Sequence, residues 1–278
     1  MEQLEGLPTA KGLYEYRKAD GGVPLWLPHN QGDIFDGVDL ACLTGQAQIG
    51  CVMLFLHPCT MRGSKGALVE RATVIEVKSL STKKSLDTPE MWARRYSVIP
   101  LPDFSGMNAD AYEANLFNMG TVPMASLTRG NRVASFSEVG RAHMLHRIIF
   151  HLTRKSVPTG VLVTATQRVQ AEIQLQADWV ASVWERFGEL TETDVESVES
   201  EFQTMLSESW PTATADSPAT VREVLYSDDE SDHLDAFGLI QERCGTEWPG
   251  SCLASLRSPR IEAVGNTSSR DEGPQMPA

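Results

Sequence analysis

Ile49-Gly50-Cys51-Val52-Met53-Leu54-Phe55-Leu56, followed at once by His57-Pro58-Cys59-Thr60-Met61-Arg62, decides how this chain is read. The first eight residues have the length and apolar character of a buried strand, and they are too few for an ordinary helix. Pro58 ends the strand, because proline has no N–H to donate to a central ladder. Working outward, Gly32-Asp33-Ile34-Phe35 opens a strand before it. Ala72–Leu80, rich in β-branched residues, and Tyr96–Leu101, bounded by Pro100 and Pro102, read as strands after it. Short strands separated by turn signals predict a small barrel or sandwich, not a parallel sheet with crossover helices.

Helical periodicity takes over beyond Ser135. Ser135-Phe136-Ser137-Glu138 fits a capping box, with the Ser135 hydroxyl on an orphan amide and Glu138 reaching back. The helix that follows sets Leu145, Ile148, Ile149 and Leu152 on one face, with Arg141, Arg147, His151 and Arg154 on the other. A second helix is predicted over Val163–Leu190, with Val169, Ile173, Ala177, Val180, Trp184 and Phe187 as its core stripe. A third, over Asp194–Leu206, carries Val195, Val198, Phe202 and Met205 at the same period, and the pair reads as a helical hairpin. After Ser207 the composition turns to Ser, Thr, Ala and Pro and then to acidic residues. Only short helices near Val221–Leu225 or Leu234–Arg243 stand out there. The expected organisation is an irregular segment over 1–30, a β-barrel domain over 31–134, a helical region over 135–206, and a linker with a disordered acidic tail over 207–278. In class it is α+β.

The formal charge of −13 is unevenly spread, since residues 1–156 carry 17 Lys and Arg against 15 Asp and Glu, and the rest carries 7 against 22. Any nucleic-acid surface is therefore expected in the first 156 residues, with the acidic half serving solubility or screening. No run of eighteen apolar residues exists and Met1-Glu2-Gln3-Leu4-Glu5 does not resemble a signal peptide, so neither membrane nor export is expected. Five cysteines with no CxxC pair do not make a disulfide framework, which fits a reducing cytoplasm.

Chemistry is sought first at the end of the apolar strand, where His57, Cys59, Thr60 and Arg62 gather. In one reading His57 is a general base or acid and Cys59 a nucleophile activated by it. In the other, Cys59 is a small buried hydrophobe and His57 a satisfied edge residue. His143-x-x-His146 and His151 are the residues that could join His57 and Cys59 as metal ligands. The pattern lacks the tight Cys/His pairing of zinc sites and the glutamate of HExxH, so no metal or cofactor is expected. Arg62, Arg94, Arg95, Arg129 and Arg132 fall in or beside predicted loops. They read either as phosphate-binding guanidiniums or as solvated loop charges. Trp92, next to Arg94 and Arg95, reads as a base-stacking surface or as core.

The order of these segments resembles the MazF/PemK-type toxin family. The resemblance is carried by Gly32-Asp33-Ile34-Phe35 as the opening strand, by Val52-Met53-Leu54-Phe55-Leu56-His57 as the central one, and by Ser97-Val98-Ile99-Pro100-Leu101-Pro102. It ends with Ala125-Ser126-Leu127-Thr128-Arg129 through Arg132, before the helix at Ser135. It covers about residues 32–155. It implies an SH3-like β-barrel with a packed helix, acting as a metal-independent endoribonuclease on single-stranded RNA, often as a homodimer. The chain departs from the family pattern twice: no Arg stands between Ala41 and Cys51 in the loop where the family's catalytic Arg is found, and Pro102 replaces a Thr or Ser. Two functions follow from these residues. One is an endoribonuclease using His57, Cys59, Thr60 and Arg62, with Trp92, Arg94, Arg95, Arg129 and Arg132 holding RNA. The other is a non-catalytic interaction or regulatory module that meets a protein partner through its helical region.

Overall fold

The apolar strand lies at the centre of an antiparallel sheet with both faces covered, and this is why its sequence is continuously apolar. A computed structural model describes residues 10–62, 68–80, 95–105, 111–188, 190–212, 219–227 and 229–244. In chain order the elements are α1 (Ala10–Leu13), β1 (Tyr14–Arg17), β2 (Ile34–Asp39), α2 (Ala41–Thr44), β3 (Ile49–Leu54), β4 (Arg71–Leu80), β5 (Val98–Leu101), β6 (Ala111–Pro123) and β7 (Arg132–Phe136). Then come α3 (Glu138–Thr153), α4 (Thr159–Phe187), α5 (Glu192–Leu206), α6 (Val221–Leu225) and α7 (Glu230–Cys244). The strands form one seven-stranded antiparallel sheet in the order β1-β7-β2-β3-β4-β6-β5.

Successive residues of a strand point to opposite faces. Ile34, Met53 and Ile75 enter the core under α3 with Met144 and Ile148, while Phe35, Val52, Leu54 and Val74 enter a second core with Met61 and Leu127. The α+β class is as expected, but the sheet stays open, because among the described residues no ladder joins its edge strands β1 and β5. One edge is taken by β1, from a segment expected to be irregular, which pairs with β7. The other edge contains Pro100, and proline is tolerated only in such a place.

Helix starts and ends differ from the sequence reading for identifiable reasons. Ser135 belongs to β7 and gives its hydroxyl to Asp33 Oδ1 at 2.7 Å, so the cap of α3 falls on Ser137 instead. The Ser137 hydroxyl accepts from Gly140 N at 3.0 Å and donates to the Gly12 carbonyl at 2.6 Å, fastening α1 to the helix start. The face of α3 that carries Arg141, Arg147, His151 and Arg154 is partly buried. Arg141 donates to the Phe136 carbonyl at 2.5 Å, and Arg147 donates to the carbonyls of Val98 at 2.7 Å and Arg95 at 3.2 Å. Leu152, expected inward, is exposed, as is Phe187 at the end of α4. The α4–α5 hairpin is present, with Trp179 and Phe202 rings 5.7 Å apart across it. A Thr191–Asp194 capping box starts α5.

Both short helices anticipated after Ser207 form, and Val221, Leu225, Ala236, Phe237 and Ile240 are buried, so ordered packing runs on to Cys244, past the expected boundary at 206. The expected disorder of the far tail falls on residues 245–278, outside the described residues.

Gly140 sits where α1 crosses α3, and a Cβ there would lie 2.1 Å from the Leu13 carbonyl oxygen. Alanine is the better helix former by about 1 kcal/mol, yet Gly140→Ala is expected to destabilise the fold by about 2 kcal/mol through this overlap. A lowered midpoint in urea denaturation, with unchanged slope, checks it.

Candidate functional site

The turn after β3 is local in origin. Pro58–Thr60 make one 3-10 turn in which Thr60 donates twice to the His57 carbonyl, from N at 2.9 Å and from Oγ1 at 2.7 Å. Met61 then drops into the core, and Arg62 forms an isolated bridge with Leu68. From there the Arg62 guanidinium pairs with Glu199 of α5. The other oxygen of Glu199 lies 2.7 Å from Arg129 Nη2, and neither the Glu199 nor the Arg129 side chain is more than 1% exposed. One carboxylate therefore stands between two guanidiniums at the seam of sheet and hairpin.

A second buried pair is adjacent. Arg132 Nη1 donates to Asp33 Oδ2 at 2.9 Å, with both side chains fully buried. Asp33 also accepts from Asn30 N at 2.9 Å and from Ser135 Oγ. The loop before β2 turns its carbonyls onto these cations: Arg132 takes those of Pro24, Leu27 and Pro28, and Arg129 those of Leu25 and Leu27. The Arg129 amide donates to Glu192 Oε1 at 2.7 Å. Expected as cations presented to RNA, Arg129 and Arg132 are interior groups: Arg129 Nη1 and both terminal nitrogens of Arg132 donate to loop carbonyls or Asp33, Arg129 Nη2 is ion-paired with Glu199, and Nε of each has no hydrogen-bond partner among the described residues. Their physical role is to hold the 24–28 loop and α5 against the sheet.

His29, which the sequence reading passed over, lies in the same seam. Its ring stacks on Phe35 at 5.6 Å, and Nε2 is 2.8 Å from the Leu127 carbonyl, so Nε2 carries the proton. Nδ1 is then a buried lone pair with no partner among the described residues. Burial, reinforced by the charges of Arg129 and Arg132, holds the imidazole well below its ordinary pKa, hence neutral.

Two cavities open at this seam, and both have His29 and Arg62 in their walls. One, of about 490 Å³, lies toward Ile173 and Gln176 of α4 and Arg222 of α6. The other, of about 850 Å³, lies toward Met124 and the start of α5, and Glu70, Glu192 and Glu196 on its wall outnumber Arg62. That acidic wall is unsuited to a phosphate backbone.

The other sequence candidates are scattered. His57 is half-buried, and desolvation lowers its pKa. Thr60 is exposed, its hydroxyl bonded to the His57 carbonyl. Arg95 pairs with Glu113 at 2.8 Å. Trp92, Arg94 and the Cys59 side chain lie outside the described residues. Among the described residues no three His, Cys, Asp or Glu converge as metal ligands, and no helix is long and apolar enough to cross a membrane. His146 instead contacts Ser156 Oγ at 3.1 Å, and His151 meets the edge of Phe117.

Glu199 did carry a sequence signal. It sits four residues after Val195 and three before Phe202, on the apolar stripe of α5, where a charge requires a buried partner. His29 carried none, being one residue in a turn-rich loop. The chain matches no protein-family model and no curated protein sequence.

Two outcomes follow from this seam. Glu199→Gln leaves Arg62 and Arg129 without their shared carboxylate, and a loss of about 3–5 kcal/mol in unfolding free energy is expected by chemical denaturation. The pH dependence comes from His29, whose folded pKa lies below the value of about 6.5 in the unfolded chain. Below that pH the unfolded state binds the extra proton, so this contribution is complete above about pH 6.5 and is lost as pH falls, at up to about 1.4 kcal/mol per pH unit. Stability curves between pH 7 and 5 should flatten in His29→Gln relative to wild type, leaving the same-signed contribution of His57.

Proposed function

We propose that this protein is a MazF/PemK-like chain on a degenerate SH3-type scaffold, working as a non-catalytic interaction or regulatory module. The observation that carries the reading is the insertion of Glu199 between Arg62 and Arg129. The cations that a toxin-like groove would offer to RNA are neutralised by the chain's own helical hairpin. The family likeness is supported by the strand from Gly32 pairing with the apolar strand β3, and by the Arg129–Arg132 segment leading through β7 into α3. Both departures from the family pattern point away from cleavage.

The helical region is the surface for a protein partner in this reading, which includes a second copy of the chain. Exposed Phe117, packed edge-on against His151, and Leu152 beside it in sequence supply apolar area for such a contact. A cytoplasmic setting is inferred from free thiols at Cys42 and Cys51. Burial pushes the Cys51 thiol up to about 12, so that cysteine is no nucleophile.

One observation favours a second reading, a metal-independent endoribonuclease. His57 is neutral at physiological pH and precedes Arg62 across a single turn, an arrangement in which an imidazole can accept a ribose 2′-hydroxyl proton. Purified full-length protein incubated with mixed single-stranded RNA in EDTA separates the two. The module gives no fragments above the buffer blank. Cleavage by wild type that disappears in both His57→Ala and Cys59→Ala would overturn the proposal in favour of the nuclease.

A further inference from the structure

The cavity of about 850 Å³ is a groove with two rims of different origin. On one side, Val69 and Glu70 lead into β4 and the turn Met124–Ser126 follows β6. Met124 N donates to the Glu70 carbonyl at 2.9 Å, which locks these two segments together. The other side is α5. Its Val195, Glu199 and Phe202 are buried, so the helix turns Thr193, Glu196, Ser197 and Ser200 to the groove. Glu192, at the start of the same helix, is fixed through Oε1, which accepts from the Arg129 amide at 2.7 Å. Four residues separate it from Glu196, which sets their Cβ atoms about 5–6 Å apart along one rim.

Charge narrows the ligand. Glu70, Glu192 and Glu196 are exposed, and among the described residues none of them is in an ion pair. Arg62, on the same wall, is already held by Glu199. Three carboxylates without a counter-charge give the groove a negative potential that attracts cations. That potential is spread along the groove, since among the described residues no three His, Cys, Asp or Glu converge as metal ligands. Several separated positive charges match it, and a single ion does not. Between the carboxylates the lining is apolar, from Val69, Pro123, Met124 and Leu127. A polyamine or a plain run of lysines would leave that apolar surface without a partner.

We infer that this groove docks a basic, amphipathic segment of a partner protein. Its apolar side chains cover Val69, Met124 and Leu127, and its Lys or Arg side chains reach Glu70, Glu192 and Glu196. The inference rests on the reading of the chain as an interaction module and deepens it, naming the chemistry of the partner and placing the contact on α5. Charge complementarity favours such a partner over a second copy of this chain, which carries a net charge of −13.

The test is fluorescence anisotropy of short labelled peptides with the full-length protein at about 0.15 M salt, where long-range attraction is screened. Two Lys/Leu peptides are used, one alternating and one at helical spacing. Beside them stand a Lys/Ser peptide of equal charge, a Glu/Leu peptide, and spermidine as unlabelled competitor. At least one Lys/Leu peptide is expected to bind with a Kd below about 100 μM, and the Lys/Ser and Glu/Leu peptides about tenfold more weakly or worse. Glu70→Gln, Glu192→Gln and Glu196→Gln combined should weaken binding about tenfold, and Glu196→Gln alone about twofold, because exposed ion pairs each contribute modestly. The change at Glu192 keeps an acceptor for the Arg129 amide. Removing as many charges from exposed positions outside the groove, with Glu185→Gln, Glu201→Gln and Asp235→Asn, should leave affinity unchanged. Circular dichroism confirms that each variant is folded. Failure of both Lys/Leu peptides to bind overturns the inference. So does a Lys/Ser peptide that binds as tightly, displacement by spermidine at the peptide's own concentration, or equal effects of the two triple variants. RNA cleavage beside groove-dependent peptide binding would remove the module reading alone, whereas absence of both would remove only this inference.

Discussion

Two buried carboxylates, Asp33 and Glu199, hold this protein's sheet, its leading loop and its helical hairpin in register. Transferring a guanidinium from water to a protein interior costs several kcal/mol, and it is tolerated only when carboxylates and carbonyls surround it. Arg132 meets that condition through Asp33 and three carbonyls of the 24–28 loop. Arg129 meets it through Glu199, the Leu25 carbonyl and the Leu27 carbonyl, which it shares with Arg132. Because the loop and α5 supply these partners, neither can move without leaving a cation unpaired. The arrangement of the seam, including the cavities beside His29, follows from that requirement.

This changes what arginine means in the chain. Arg129, Arg132, Arg141 and Arg147 are all buried and all donate to backbone carbonyls. Each ties a helix, loop or turn to the strand beside it, using a fork of donors that lysine does not possess. The chain's positive half is thus partly internal, and the excess of Lys and Arg in residues 1–156 overstates the positive charge presented to solvent. A phosphate backbone needs exposed cations, and the groove beside Arg62 is bordered instead by Glu70, Glu192 and Glu196.

Much of the fold was legible because it rests on local physics. The apolar run at Ile49–Leu56, the β-branched run at Ala72–Leu80 and the stripes of the hairpin all mark real elements, with ends displaced by a few residues. The displaced cap of α3 shows where local reasoning stops. Ser135 and Ser137 are both plausible caps, and the choice between them belongs to Asp33, a hundred residues away in sequence, which takes the Ser135 hydroxyl. The site was less legible. Arg62 was identified, but its partner Glu199 was hidden in an acidic helix, and His29 had no neighbours in sequence to mark it.

By itself the sequence determined the α+β class, the positions of the central strands and the existence of the hairpin, since periodicity and proline placement act over a few residues. It also set His57, Cys59, Thr60 and Arg62 within six consecutive residues just after β3. Only the tertiary structure decided that the sheet stays open, that α6 and α7 are packed, and that Arg129 and Arg132 point inward. Those outcomes depend on which distant groups meet. A guanidinium is a surface cation or an interior strut according to the carboxylate that reaches it, and that carboxylate arrives on another part of the chain.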